Sequence, residues 1–173
     1  MAFLSAFLRC ILLVSLSLSS SSSQFADGCY TSIFAFGDSL TDTGNYLSEL
    51  QSDDRYPYIG LPPYGETFFH HPTGRCSDGR LVLDFIAEHY GLPHLQPYLG
   101  GEEINFETGV NFAVAGVTAL DVEFYLERGI ELHNNISMRT QLQWFRDLLP
   151  SLCKNSSKCD LIIYALIFHA NIT

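Results

Sequence analysis

Residues Phe34 to Asn45 read FAFGDSLTDTGN. From Thr31 to Phe36 the chain is mostly apolar and aromatic, and the run ends at Gly37; this is the pattern of a short buried strand that passes into a loop. The stretch Thr41 to Asn45 is built of turn and helix-capping residues. Ser39 therefore stands just past a strand, near a glycine that permits a tight turn and ahead of a helix start. A hydroxyl there is exposed and close to backbone N–H donors. To act as a nucleophile it needs a general base, normally His, and donors for a developing oxyanion. Taken in isolation, such a serine is more often a loop residue or a helix cap.

Working outward, the region from Tyr56 to Gly79 is rich in Tyr, Pro and Gly and is read as a long functional loop. Asp78 is expected to cap a helix from about Arg80 to Tyr90, with Leu81, Val82, Phe85, Ile86 and His89 packing inward and Gly91 and Pro93 as its stop. Val110 to Val114 is a second strand candidate, closed by Gly116. Ile136 to Leu149 reads as an amphipathic helix with Leu142, Phe145, Leu148 and Leu149 on one face and Pro150 just beyond its end. Leu161 to Phe168 is apolar throughout, and periodicity leaves it open between a central strand and a buried helix. Strands alternating with helices indicate an α/β domain with a largely parallel sheet. In such sheets ligands bind beyond the carboxyl ends of the strands, which singles out the loops Gly37 to Asn45 and Ala115 to Asp121.

The chain has 173 residues, 47% of them apolar, so it is too apolar for a disordered polypeptide and long enough for one domain. Lys and Arg total 9 against 19 Asp and Glu. That balance excludes a general nucleic-acid binder, which needs clustered cations, and favours neutral or cationic partners. Residues 1–23 read as a cleaved secretory signal: one positive charge at Arg9, a short apolar run from Ile11 to Leu18, and a serine tract from Ser19 to Ser23. The run falls short of the roughly 20 residues that span a bilayer, which argues against a membrane anchor. Residues 24–173 then form a single unit without internal repeats, with secretion to the extracellular space, apoplast or vacuole as the expected destination.

Cleavage leaves Cys29, Cys76, Cys153 and Cys159. In an oxidising compartment an even set suggests two disulfides, with Cys153 to Cys159 favoured by spacing and Cys29 to Cys76 following by elimination. The spacings lack paired CxxC units, so no metal is expected, and no cofactor motif is present. Asn135, Asn155 and Asn171 head Asn-x-Ser/Thr sequons, in keeping with secretion and N-glycosylation.

Two nucleophile motifs fail on the Ser39 segment. The GxSxG elbow of α/β-hydrolases would need Gly where Thr41 stands, and the DxD pair of haloacid-dehalogenase phosphatases would need Asp where Phe36 stands. Three blocks instead resemble the plant GDSL esterases and lipases of the SGNH hydrolase superfamily: FAFGDSLTDTGN at Phe34 to Asn45, HPTGRCSDGRLVLDFIAEHYGLP at His71 to Pro93, and GVNFAVAGVTAL at Gly109 to Leu120. They run in family order from Cys29 to about Cys159 and look most like the subgroup of sinapine and acetylajmalan esterases.

The resemblance implies a three-layer α/β/α, flavodoxin-like fold and hydrolysis of carboxylic esters or lipids without metal or cofactor. Ser39 matches the nucleophile, and its N–H one oxyanion donor; Gly116 matches the second donor. Asp38 matches the residue that orders the nucleophile loop and is not the triad acid. Asn111 does not match the family's catalytic Asn and is read as a turn or strand-end residue. The family's GxND block has no counterpart in DLIIYALIFHANIT, and no DxxH block occurs in the 173 residues, so the catalytic Asn, Asp and His are unassigned. None of His70, His71, His89, His94, His133 and His169 has a context that sets it against Ser39. The expectation is a partial, amino-terminal portion of such a hydrolase with little or no turnover. The rival expectation is a secreted, non-catalytic glycoprotein that binds an ester or glycan.

Overall fold

A computed structural model describes residues 30–50, 58–101, 105–132, 134–152 and the backbone of 51 and 165–167. Strand β1, Ile33–Phe36, is buried at every position. Side chains of a strand alternate between faces, so Ile33 and Ala35 serve one core and Phe34 and Phe36 another. Ile33 and Ala35 pack with Leu83 and Ala87 of helix α2 (Val82–His89) and with Leu95. Phe34 and Phe36 pack with Val110, Phe112 and Leu148, the last from helix α4 (Met138–Leu152). The sheet thus lies between a helix on each face, the α/β layering expected from the sequence.

Strand β2 (Gly109–Asn111) and strand β3 (Ala165–Ile167) both pair parallel with β1, in the order β2-β1-β3. The registers set Ile33 opposite Gly109 and Phe34 opposite Ala165. β3 makes residues 165–167 of the late apolar run a strand, while 161–164 and 168 lie outside the described residues. A central parallel strand covered on both faces carries a continuous apolar sequence, which is why IFAF shows no polar alternation. Helix α1 (Asn45–Gln51) follows the Ser39 loop, and the short helix α3 (Val122–Leu126) follows the Gly116 loop.

Two helix faces differ from the sequence expectation for one physical reason: a polar side chain turns inward. In α2 the buried residues are Leu83, Asp84 and Ala87, whereas Val82 and Phe85 are 62% and 50% exposed and His89 is exposed. Asp78 does not cap the helix; its carbonyl accepts bonds from the Thr67 N–H and hydroxyl. Asp84 takes that part, its carboxylate accepting the Leu81 N–H at 2.8 Å. The same carboxylate receives a bidentate pair from Arg75, Nε at 2.9 Å and Nη2 at 2.8 Å. Burying this pair rotates the helix, leaving Val82, Phe85 and His89 to line an apolar groove of about 450 Å³ at the amino end of β1.

In α4 it is Gln141 that is fully buried, while Leu142 is 44% exposed. The helix also continues through Pro150 to Leu152 and does not stop before it. Proline there forgoes one intrahelical hydrogen bond within the last turn, where the helix is already ending.

Arg75 also donates to the Thr43 carbonyl at 3.3 Å and lies 4.6 Å over the Phe69 ring, so it joins α2 to the Ser39 loop. Removing one partner of a buried ion pair strands the other charge. Arg75→Met is expected to lower unfolding free energy in urea by about 3–5 kcal/mol; a loss under about 1 kcal/mol, the value of a solvent-exposed pair, would contradict a closed pair.

Candidate active site

Past β2 the chain stays extended alongside β1. Phe112 N–H donates to the Ala35 carbonyl at 2.8 Å and Val114 N–H to the Gly37 carbonyl at 3.1 Å. The loops Gly37 to Asn45 and Ala115 to Asp121 therefore leave neighbouring strands at the same, carboxyl end, where open parallel sheets form their ligand crevice.

The Ser39 loop is a tight turn. The Asp38 carbonyl accepts the N–H groups of Thr41 and Asp42 at 3.1 and 3.0 Å. The Asp38 carboxylate accepts the Leu40 N–H at 3.0 Å. Asp38 is buried, Ser39 half-buried and Leu40 exposed. On the other loop Gly116 is exposed, with φ at +79°, a conformation that glycine adopts without steric cost. Among the described residues, neither the Ser39 N–H nor the Gly116 N–H donates a hydrogen bond.

What fixes the two loops to each other is a set of buried polar side chains that sequence reading passed over as cap and strand-end residues. One oxygen of Asp42 accepts the N–H groups of Gly44 and Asn45, both at 2.7 Å. Its other oxygen accepts Tyr46 N–H at 3.1 Å and, from the opposite loop, Ala115 N–H at 2.8 Å. Asn45 donates to the carbonyls of Asn111 and Ala113 at 2.9 and 2.8 Å and accepts Leu99 N–H at 2.8 Å. Asn111, the last residue of β2, donates to the Thr41 carbonyl and accepts Ala113 N–H at 2.6 Å. The capping signal of Asp42 was legible in TDTGN; its bond to Ala115 was not, because nothing local encodes a partner 73 residues away.

Burial dominates the electrostatics here. It pushes the Asp42 carboxyl up to about 6, against four backbone N–H donors that pull it down. Cys76, half-buried, has its thiol pushed up to about 11, first by burial and then by the nearby Asp42 and Asp38 carboxylates. Cys76 forms no disulfide among the described residues; Cys29, Cys153 and Cys159 lie outside them.

His70, His71 and His89 are exposed. His94 bonds Glu88 at 2.8 Å, and that bond, followed by those from Arg80, holds the Glu88 carboxyl below its usual value. His133 and His169 lie outside the described residues, and no described histidine is hydrogen-bonded to Ser39. The Asn135 side chain is exposed, as a glycan acceptor requires, while Asn155 and Asn171 lie outside the described residues. Among the described residues no group of His, Cys, Asp and Glu could hold a metal ion, and no helix is long and apolar enough to cross a membrane.

Parallel strands with a serine turn and a glycine turn at one end form an α/β domain with its ligand crevice at that end. The chain belongs to the GDSL-like lipase/acylhydrolase family, whose model matches residues 33–167. It is 52% identical over 144 residues to a GDSL esterase/lipase of Arabidopsis thaliana, covering 83% of this chain and 36% of that one. A second Arabidopsis GDSL esterase/lipase is 52% identical over 157 residues, covering 90% and 39%. Sinapine esterase of Brassica napus is 54% identical over 130 residues, covering 75% and 33%. The chain thus spans about a third to two fifths of the length of these relatives. No solved structure matches it significantly.

Asp42→Asn would set an amide N–H₂ against backbone donors at one oxygen, at an expected cost of about 1–3 kcal/mol for an unsatisfied buried group. The parent should also show a pH signature. A carboxyl raised from 3.8 to about 6 on folding binds more protons in the folded state, so its contribution is full below about pH 4 and is lost as pH rises through 6. Urea midpoints between pH 4 and 7 should fall more in the parent than in Asp42→Asn. Parallel pH profiles would contradict the assignment.

Proposed function

We propose that this chain carries the nucleophile half of a secreted carboxylic ester hydrolase. Ser39 Oγ attacks the ester carbonyl carbon, its proton passes to a base, and collapse of the tetrahedral intermediate expels the alcohol to leave acyl-Ser39. Water then releases the acid and regenerates the hydroxyl. The N–H groups of Ser39 and Gly116 receive the oxyanion, and Asp38 keeps the nucleophile turn closed. The single observation that supports this reading best is the pair of backbone N–H groups, on loops that share the carboxyl end of the sheet, without an acceptor among the described residues. Donors held ready for a charge that forms only in the transition state are the largest single contribution to acyl-transfer catalysis.

The base is the part without a match: no DxxH block occurs in the 173 residues, and among the described residues no histidine is bonded to Ser39. A serine hydroxyl without a base keeps ordinary nucleophilicity. The 173-residue chain alone therefore turns esters over slowly or not at all, while a longer chain that supplies the base is active. The sinapine esterase among the relatives makes sinapine a sensible substrate to test beside short acyl esters. Export to the extracellular space, glycans on Asn135, Asn155 and Asn171, and disulfides among Cys29, Cys76, Cys153 and Cys159 belong to the same reading.

Hydrolysis of p-nitrophenyl acetate by the purified 173-residue protein is expected to stay within about tenfold of its Ser39→Ala variant, since the base supplies roughly 10²–10⁴ of such a rate. Fast turnover abolished by Ser39→Ala would overturn the missing base. Fast turnover indifferent to Ser39→Ala would overturn the nucleophile.

A further inference from the structure

The segment that leads into α4 touches both candidate loops. Asn134 is 6% exposed and donates from Nδ2 to the Ala115 carbonyl at 2.9 Å. Its Oδ1 accepts Ile136 N–H at 3.0 Å, which fixes the amide's own orientation. Met138 N–H then donates to the Thr118 carbonyl at 3.0 Å, so the segment follows the Gly116 loop on its far side. One turn into α4, Gln141 is fully buried. It accepts the Gly37 N–H at 3.0 Å and donates to the Gly37 carbonyl at 2.8 Å, the same carbonyl that accepts Val114 N–H at 3.1 Å.

The peptide unit is planar, and its C=O and N–H point in opposite directions. The Ala115 carbonyl and the Gly116 N–H belong to one such unit. A donor that holds the carbonyl therefore aims the N–H away from itself. The other face of Ala115 is held as well, its N–H bound to Asp42 at 2.8 Å. Gly116, at φ +79° and without a side chain, has little of its own to resist rotation.

From these contacts we infer that Asn134 and Gln141 are positioning residues, one for each loop. Asn134 aims the Gly116 N–H by fixing the Ala115 carbonyl, and Gln141 pins the peptide that leads into the Ser39 turn. Neither touches the reacting atoms. The inference rests on the proposed roles of Ser39 and Gly116, and it extends the site to a segment outside the three family blocks quoted above.

The test compares the full 173-residue chain with Asn134→Asp, Gln141→Met and the packing control Leu148→Val, whose side chain contributes to the same helix but to the apolar core. Asn134→Asp keeps the acceptor for Ile136 and replaces the donor by an oxygen facing a carbonyl; Gln141→Met keeps volume and loses both bonds. Two quantities are read well below each variant's Tm: the rate at which a fluorophosphonate, losing fluoride, forms a Ser39 adduct seen by mass, and the amide resonances of Gly116 and Gly37. Removing an oxyanion donor outright costs roughly 10²–10³ in rate, so misaiming one is expected to slow adduct formation about tenfold or more. Asn134→Asp should shift the Gly116 resonance, Gln141→Met that of Gly37, and Leu148→Val should lower Tm with the rate within about twofold of the parent. Rates unchanged in both site variants, or lowered equally by Leu148→Val, overturn the inference. If the parent forms no Ser39 adduct, as a hydroxyl without its base would give, the Gly116 amide alone decides: a shift in Asn134→Asp supports the positioning, and no shift overturns it. Should Asn134→Asp not fold, Gln141→Met carries the same comparison.

Discussion

The buried carboxylate of Asp42 is the constraint on which the rest of the site depends. It closes the start of α1 with one oxygen and part of the other, and its bond to Ala115 N–H ties that turn to a loop on the neighbouring strand. A carboxyl group placed out of water costs several kcal/mol unless its lone pairs are met. Four N–H donors meet them here, and each is a backbone group whose own position is thereby fixed. Parallel pairing of β1 and β2 brings the two loops to one end; Asp42 sets how they lie relative to each other once there.

A second layer of polar contacts surrounds this one. Asn45 and Asn111 bind backbone groups across the gap between the loops, and Arg75 links the Ser39 loop to α2 through Thr43 and Asp84. The side chains of Asn45, Asn111, Arg75 and Asp84 are each paired in this low-dielectric setting, where a partial loss is costly. The apolar cores on either face of β1 hold the layers together, whereas the polar network determines where two short stretches of backbone point. For chemistry that works by aiming N–H groups at a developing charge, that second task is the one that matters.

Sequence and structure agree where the signal is local. FAFG ends a strand because an apolar run meets a glycine, and GDSLTDTGN turns because its residues bond their own backbone. They part where polar side chains are buried. Apolar periodicity assigns Asp84 and Gln141 to the solvent side of their helices, and the faces containing Val82, Phe85, His89 and Leu142 to the core. Arg75, in the loop before α2, and the Gly37 peptide, 104 residues from Gln141, reverse both assignments. Asp42 shows the same limit: its capping part involves three neighbouring residues, Gly44, Asn45 and Tyr46, and its bond to Ala115 depends on the fold. The three family blocks marked Ser39 and Gly116 because they are short, contiguous and in order; Asn134 and Gln141 lie between no such blocks and carry no local signature.

At the proposed site the Ser39 hydroxyl and the N–H groups of Ser39 and Gly116 converge on one acyl position. A boronic acid is the direct probe, because boron bonded to a serine oxygen becomes tetrahedral and carries its negative charge where the oxyanion would form. Titrating phenylboronic acid into the isotopically labelled 173-residue protein should move the Ser39 and Gly116 amide resonances together, with one saturation curve, and Ser39→Ala should abolish both shifts. Shifts at Ser39 without Gly116, or shifts that survive Ser39→Ala, would contradict it.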